Sequence, residues 1–243
     1  MILQTKDIEY QDGALKMRGM LAYDDAHAGK RPGILVVHEA WGLGEHAMAR
    51  AKMLAKEGYV ALAADMYGDR RMATDLPQAM ELIGELRTDP AKLRQRAQSA
   101  LAALKAQPNV DTSRLAAIGF CFGGTTVLTL ARGGADIKGV VSFHGGLQTA
   151  APAQPGAVTP KVLVCTGADD PMIPPAQVAA FEDEMRAAAA DWQVISYGNT
   201  VHSFTNPDAG KTVKLDGVAY NKQTDRRSWA AMRAFFDEIF EAA

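Results

Sequence analysis

Residues 115–124 read Leu-Ala-Ala-Ile-Gly-Phe-Cys-Phe-Gly-Gly, an apolar run from Leu115 to Ile118 that ends in a cysteine, Cys121, between glycines. A short continuous apolar run marks a strand buried on both faces. Residues 124–131 that follow have helical spacing, so Cys121 falls on a sharp turn between strand and helix. Gly119-Phe120-Cys121-Phe122-Gly123-Gly124 fits the nucleophile elbow, Gly-x-nucleophile-x-Gly, with cysteine at the centre. The nucleophile of such an elbow sits in a strained backbone conformation, and strand and helix approach so closely that only glycine leaves room. The helix start also aims N–H groups and a positive dipole end at the sulfur, which favours the thiolate. The other cysteine, Cys165, lies inside the apolar run Val162-Leu163-Val164-Cys165, where packing accounts for it.

Outward from this turn, strand and helix patterns alternate. Towards the N-terminus, residues 5–23 read as a hairpin about Asp12-Gly13. Buried-strand runs are expected at 33–38, 59–64, 139–143 and 161–166, with a last strand at 192–197. Helices are expected at 43–57, 76–87, 91–106, 175–190 and 222–240. Strands alternating with helices predict a mostly parallel sheet with an N-terminal antiparallel hairpin and helices on both faces. Residues 148–159, rich in Ala, Pro and Gly, read as a surface connection. No linker or repeat divides the chain, so one domain over residues 1–243 is expected.

Composition agrees. The 243 residues carry 26 Lys+Arg against 28 Asp+Glu, with 48% apolar and 22% charged residues, the balance of a folded chain with a large core. A net charge of −2 offers no broad attraction to nucleic acid or an anionic membrane. No stretch approaches the roughly 18 to 20 apolar residues of a membrane span. Lys6, Asp7 and Glu9 stand where a signal peptide needs an apolar run, and two cysteines make no disulfide framework. A cytoplasmic location is expected.

A nucleophile needs a base and an orienting acid, which in this chain order follow it. Gly167-Ala168-Asp169-Asp170-Pro171 comes directly after an apolar strand, at the sheet edge where sites collect. Asp170 is the candidate acid, stiffened by Pro171, with Asp169 as a loop-capping neighbour. His202, in Val201-His202-Ser203-Phe204, is the candidate base. His27 and His46 read as surface residues. His38 and His144 end strands, where they would line the site, and stand as second choices for the base. No histidine spacing suggests a metal, and no cofactor is implied.

With these residues in view, the chain resembles the dienelactone hydrolase family of the α/β-hydrolase fold over most of residues 33–240. The motifs that carry the resemblance are the elbow, the acidic loop 167–174 and His202-Ser203-Phe204. The resemblance implies a carboxylic ester or lactone hydrolase with a Cys121–His202–Asp170 triad. It adds Glu39, in Val37-His38-Glu39-Ala40-Trp41-Gly42, as the carboxylate that holds the resting thiol and releases it when substrate binds. It places the oxyanion hole at the backbone N–H groups of Phe122 and Ala40. Trp41, His144, Arg70 and Arg71 are the candidates for contacting substrate. Where founding members bind a substrate carboxylate through two arginines and a tyrosine, the matching positions are Leu76, Met80 and Asn206. The partner implied is a small-molecule ester or lactone, for a monomer or small homo-oligomer.

Two other readings compete. Gly42-Leu43-Gly44-Glu45-His46-Ala47 fits a dinucleotide-binding turn, and Asp65 ends the next strand. Against this, residues 39–41 separate the strand end from the first glycine, where the phosphate turn should be tight. A non-catalytic ligand-binding protein of the same fold is the other alternative.

Overall fold

The computed structural model describes residues 2–26, 28–211 and 214–241; His27, read above as a loop residue, lies outside them. The chain divides into two compact units, residues 1–118 and 119–243.

In the first unit the order of strands is β1-β2-β4-β3-β5. β1 (Leu3–Asp12) and β2 (Leu15–Asp24) form the expected antiparallel hairpin, in register from Leu3 opposite Asp24 to Asp12 opposite Leu15. Asp12 closes the turn and receives Arg96 at 2.9 Å from helix α3 (Pro90–Lys105). β3 (Arg31–Val37) and β4 (Val60–Ala64) pair in parallel, and Ile34 to Val37 and all of β4 are shielded from solvent, as two-sided burial requires. Between them runs α1 (Glu45–Lys56), which burial of Ala47, Ala51, Leu54 and Ala55 fixes to the sheet. α2 (Leu76–Arg87) and α3 start alike. Asp75 and Asp89 each accept the N–H three residues on, from Gln78 and Lys92, with a proline in the first two helical positions. β5 (Val110–Phe120) begins five residues before the apolar run that announces it, because polar Asp111 to Arg114 continue the strand.

The second unit begins within the last residues of β5. It carries α4 (Phe122–Arg132), β6 (Gly139–Phe143), β7 (Lys161–Gly167), α5 (Pro175–Ala187), β8 (Trp192–Tyr197) and α6 (Lys222–Glu241). β6, β7 and β8 pair in parallel, with Val140 opposite Val162 and Cys165 opposite Ile195. Cys165 is fully buried in β7, and burial pushes its thiol up to about 12, so it is inert. No helix among the described residues is long and apolar enough to cross a membrane.

Candidate active site

Cys121 sits between β5 and α4 with φ 52° and ψ −113°, a left-handed conformation that costs a non-glycine residue about 1–3 kcal/mol. The flanking glycines make this turn possible. A Cβ at Gly119 would overlap the carbonyl of Gly123, and one at Gly124 would press on Ser142 Oγ and the Gly145 backbone. Cys121 stands at the N-cap of α4 without using its side chain to cap, and the first turn contains no acidic residue. The dipole's positive end therefore acts on the sulfur undiminished. Phe122, next in the chain, is the first residue of the helix.

Asp170 and His202 come from the loops after β7 and β8. Two backbone bonds stitch these loops together, Ala168 N–H to Tyr197 O at 2.8 Å and Asp169 N–H to Thr200 O at 3.0 Å. Asp169 is exposed, whereas Asp170 is buried, with Oδ1 accepting the Met172 N–H at 2.8 Å and Oδ2 meeting His202 Nδ1 at 2.7 Å. The His202 backbone is held by Gly217 O at 2.9 Å and by the Ala219 N–H at 3.1 Å.

Burial alone would lower the His202 pKa. When Cys121 is a thiolate, its negative charge and the Asp170 hydrogen bond outweigh burial and carry it to about 10. Nε2 is buried and makes no hydrogen bond of ordinary geometry, although the sulfur is near enough to act on its charge. A loose contact of this kind is common in a catalytic pair without substrate. With Nδ1 committed to Asp170, Nε2 is the ring nitrogen left to move a proton.

The remaining candidates are placed differently. His144 is fully buried. Its Nδ1 accepts the Cys121 N–H at 3.1 Å and its Nε2 meets Thr205 Oγ1 at 2.8 Å. It braces the elbow from within the fold. In the first unit Glu39 is buried, with Oε2 3.4 Å from Nδ1 of His46, a residue read from sequence as surface. Arg50 Nε lies 3.4 Å from the other nitrogen of that ring. Ala40 accepts the Tyr67 hydroxyl at its carbonyl at 2.9 Å, and the half-buried Trp41 accepts the Ala73 N–H at its own.

Arg70 and Arg71, the candidates for contacting substrate, each bond within the chain. Arg70 pairs with Asp7 at 2.7 Å and donates to the carbonyls of Arg18 and Gly19. Arg71 donates twice to the Tyr67 carbonyl, at 2.7 and 3.1 Å. Asp65 accepts the backbone N–H groups of Arg18, Tyr67, Gly68 and Arg70, so the carboxylate on which a dinucleotide site would depend is consumed by its own loop. His38 is likewise internal. Nε2 accepts the Met66 N–H at 3.2 Å, Nδ1 donates to Glu39 O, and burial keeps its pKa below the usual value. Among the described residues no three His, Cys, Asp or Glu side chains are grouped to hold a metal ion.

Comparison with known proteins adds to this geometry. The model of the dienelactone hydrolase family matches residues 17–240. The chain is 44% identical to a dienelactone hydrolase-like promiscuous phosphotriesterase from metagenomic libraries, with a TM-score of 0.92 over 98% of this chain and 99% of that one. A Caenorhabditis elegans protein described as uncharacterized is 40% identical over 61% of this chain and 95% of its own length. A Yersinia pestis protein bearing the name carboxymethylenebutenolidase is 28% identical over 97% of this chain and 91% of its own.

Proposed function

The chain belongs to the dienelactone hydrolase family and is a hydrolase of esters or lactones; from that premise we propose that Cys121, His202 and Asp170 perform the reaction by covalent thiol catalysis. His202 Nε2 takes the thiol proton, and the thiolate attacks the substrate carbonyl. The oxyanion collects the backbone N–H groups of Phe122 and Ala40, where one lost donor would cost about 3–4 kcal/mol. Collapse expels the alkoxide, which receives the proton from His202 and leaves an acyl–Cys121 thioester. His202 then deprotonates water, which attacks the thioester and releases the carboxylate product and the free thiol. Asp170 fixes the ring and stabilises its charged form throughout.

The observation that carries this reading is the buried 2.7 Å bond between His202 and Asp170, because it orients the free nitrogen of the ring. Glu39 is proposed as the carboxylate that keeps the resting thiol protonated. A free nucleophilic thiol persists in a reducing compartment, which favours the cytoplasm.

Cys121→Ala tests the reading. Turnover of an aryl ester should fall by about a thousandfold or more while the protein stays folded. A folded variant that keeps more than a few percent of the wild-type rate, as an order of magnitude for residual catalysis, removes Cys121 from the mechanism. The phosphotriesterase relative favours a second substrate class, neutral aryl phosphotriesters, attacked by the same thiolate. Their turnover should disappear in the same variant.

A further inference from the structure

We propose that His144 is a positioning residue for this reaction: its imidazole, held as the neutral Nε2–H tautomer, bridges the backbone of the nucleophile to the loop that carries the base. The inference rests on the reading of Cys121 and His202 as nucleophile and base. It assigns a role to a third group, which touches neither the substrate nor the reacting atoms.

The tautomer follows from the partners. The Cys121 N–H can only donate, so Nδ1 of His144, 3.1 Å away, must carry a lone pair. The ring proton is then on Nε2, which donates to Thr205 Oγ1 at 2.8 Å. Each partner belongs to a different part of the machinery. Cys121 is the strained residue of the elbow, and its N–H is shared between His144 and Phe143 O at 3.0 Å. Thr205 lies three residues beyond His202, in the same loop. The His144 ring also stands edge-on to His202, with centroids 5.2 Å apart, and to Phe204 at 5.0 Å. The ring is fully buried, and its backbone has φ 41°, a region a bulky residue seldom occupies without compensation. One side chain thus sets the spacing between nucleophile and base from behind, where solvent cannot compete for its bonds.

The test uses His144→Phe, Thr205→Val and the double variant in the full-length protein. His144→Phe should lower kcat by about 10- to 100-fold with KM within about twofold, because a slightly misplaced pair still binds substrate. Thr205→Val should lower kcat by about three- to tenfold, and the double variant should be no worse than His144→Phe, since one broken bridge cannot be broken again. His144→Asn returns an acceptor near the Nδ1 position and should recover part of the loss. In wild-type protein, nitrogen NMR of the imidazole should show Nε2 protonated and Nδ1 bare. Additive losses, unchanged kcat in Thr205→Val, or a proton on Nδ1 would each overturn the proposal. If His144→Phe fails to fold, Thr205→Val and the NMR signature still decide. Failure here with Cys121→Ala inactive discards only the bridge, whereas an active Cys121→Ala discards the triad itself.

Discussion

The charge of a Cys121 thiolate first, and then the Asp170 hydrogen bond, favour the charged form of His202, and folding stability should register the Asp170 share of this. The His202 pKa is raised from 6.5 to about 10. A raised pKa contributes stability that is fully present below the unfolded value and is lost as pH rises through the folded one. The stability difference between wild type and Asp170→Asn should therefore be largest below about pH 6.5 and shrink as the pH climbs towards 10. Denaturant melts at pH 6, 8 and 10 check this; a pH-independent difference would mean that Asp170 does not raise the His202 pKa. At this scale the sequence was informative about the elbow and the acidic loop, because glycine spacing and Pro171 are local signals. It placed His46, seven residues past Glu39, on the surface and was silent about Thr205. What makes those two significant is a contact made by folding, and no spacing encodes it. The bonds of Arg70 and Arg71 were not legible for the same reason: their acceptors, Asp7 and the Tyr67 carbonyl, are brought to them by folding.

Among the elements, the connection from β3 to α1 carries Glu39. It is ordered by neighbours within its own unit: Gly42 bridges to Met72, and Ala73 N–H bonds Trp41 O at 2.9 Å. Asp65 gathers four N–H groups to shape the loop that supplies Met72, so a loop far along the chain steadies the one bearing Glu39. If Glu39 keeps the resting thiol protonated, iodoacetamide should alkylate Cys121 slowly at neutral pH. Glu39→Gln should then change that rate and lower turnover. Unchanged alkylation together with unchanged turnover would remove Glu39 from the mechanism. Helix and strand positions were legible because buried runs and Asp-Pro starts are local, as at α2 and α3. The early start of β5 was not, since Asp111 to Arg114 are polar and join the strand through its neighbours.

For the molecule as a whole, the distribution of fixed positive charge bears on which substrates are accepted. Where the resemblance places the family's carboxylate-binding set, this chain holds Leu76, Met80 and Asn206. Asn206 is uncharged, and its Oδ1 already accepts the Asp208 N–H at 2.9 Å. Arg70 and Arg71 already bond Asp7 and the Tyr67 carbonyl. A free carboxylate entering an unpaired site loses hydration at a cost of several kcal/mol, so a neutral ester should exceed its carboxylate analogue in kcat/KM by about tenfold or more. Asn206→Arg should narrow the gap, because arginine can bind a carboxylate through two parallel bonds. Preference for the carboxylate in wild type would refute this account of selectivity.

The central claim is that Cys121 becomes acylated during turnover, and mass spectrometry of the quenched reaction tests it most directly. Enzyme mixed with excess p-nitrophenyl butyrate and acid-quenched before deacylation should carry one butyryl group, on the peptide containing Cys121. The group should be absent in Cys121→Ala. A butyryl group on any other residue, or full turnover by Cys121→Ala with no acylated peptide, would contradict the account.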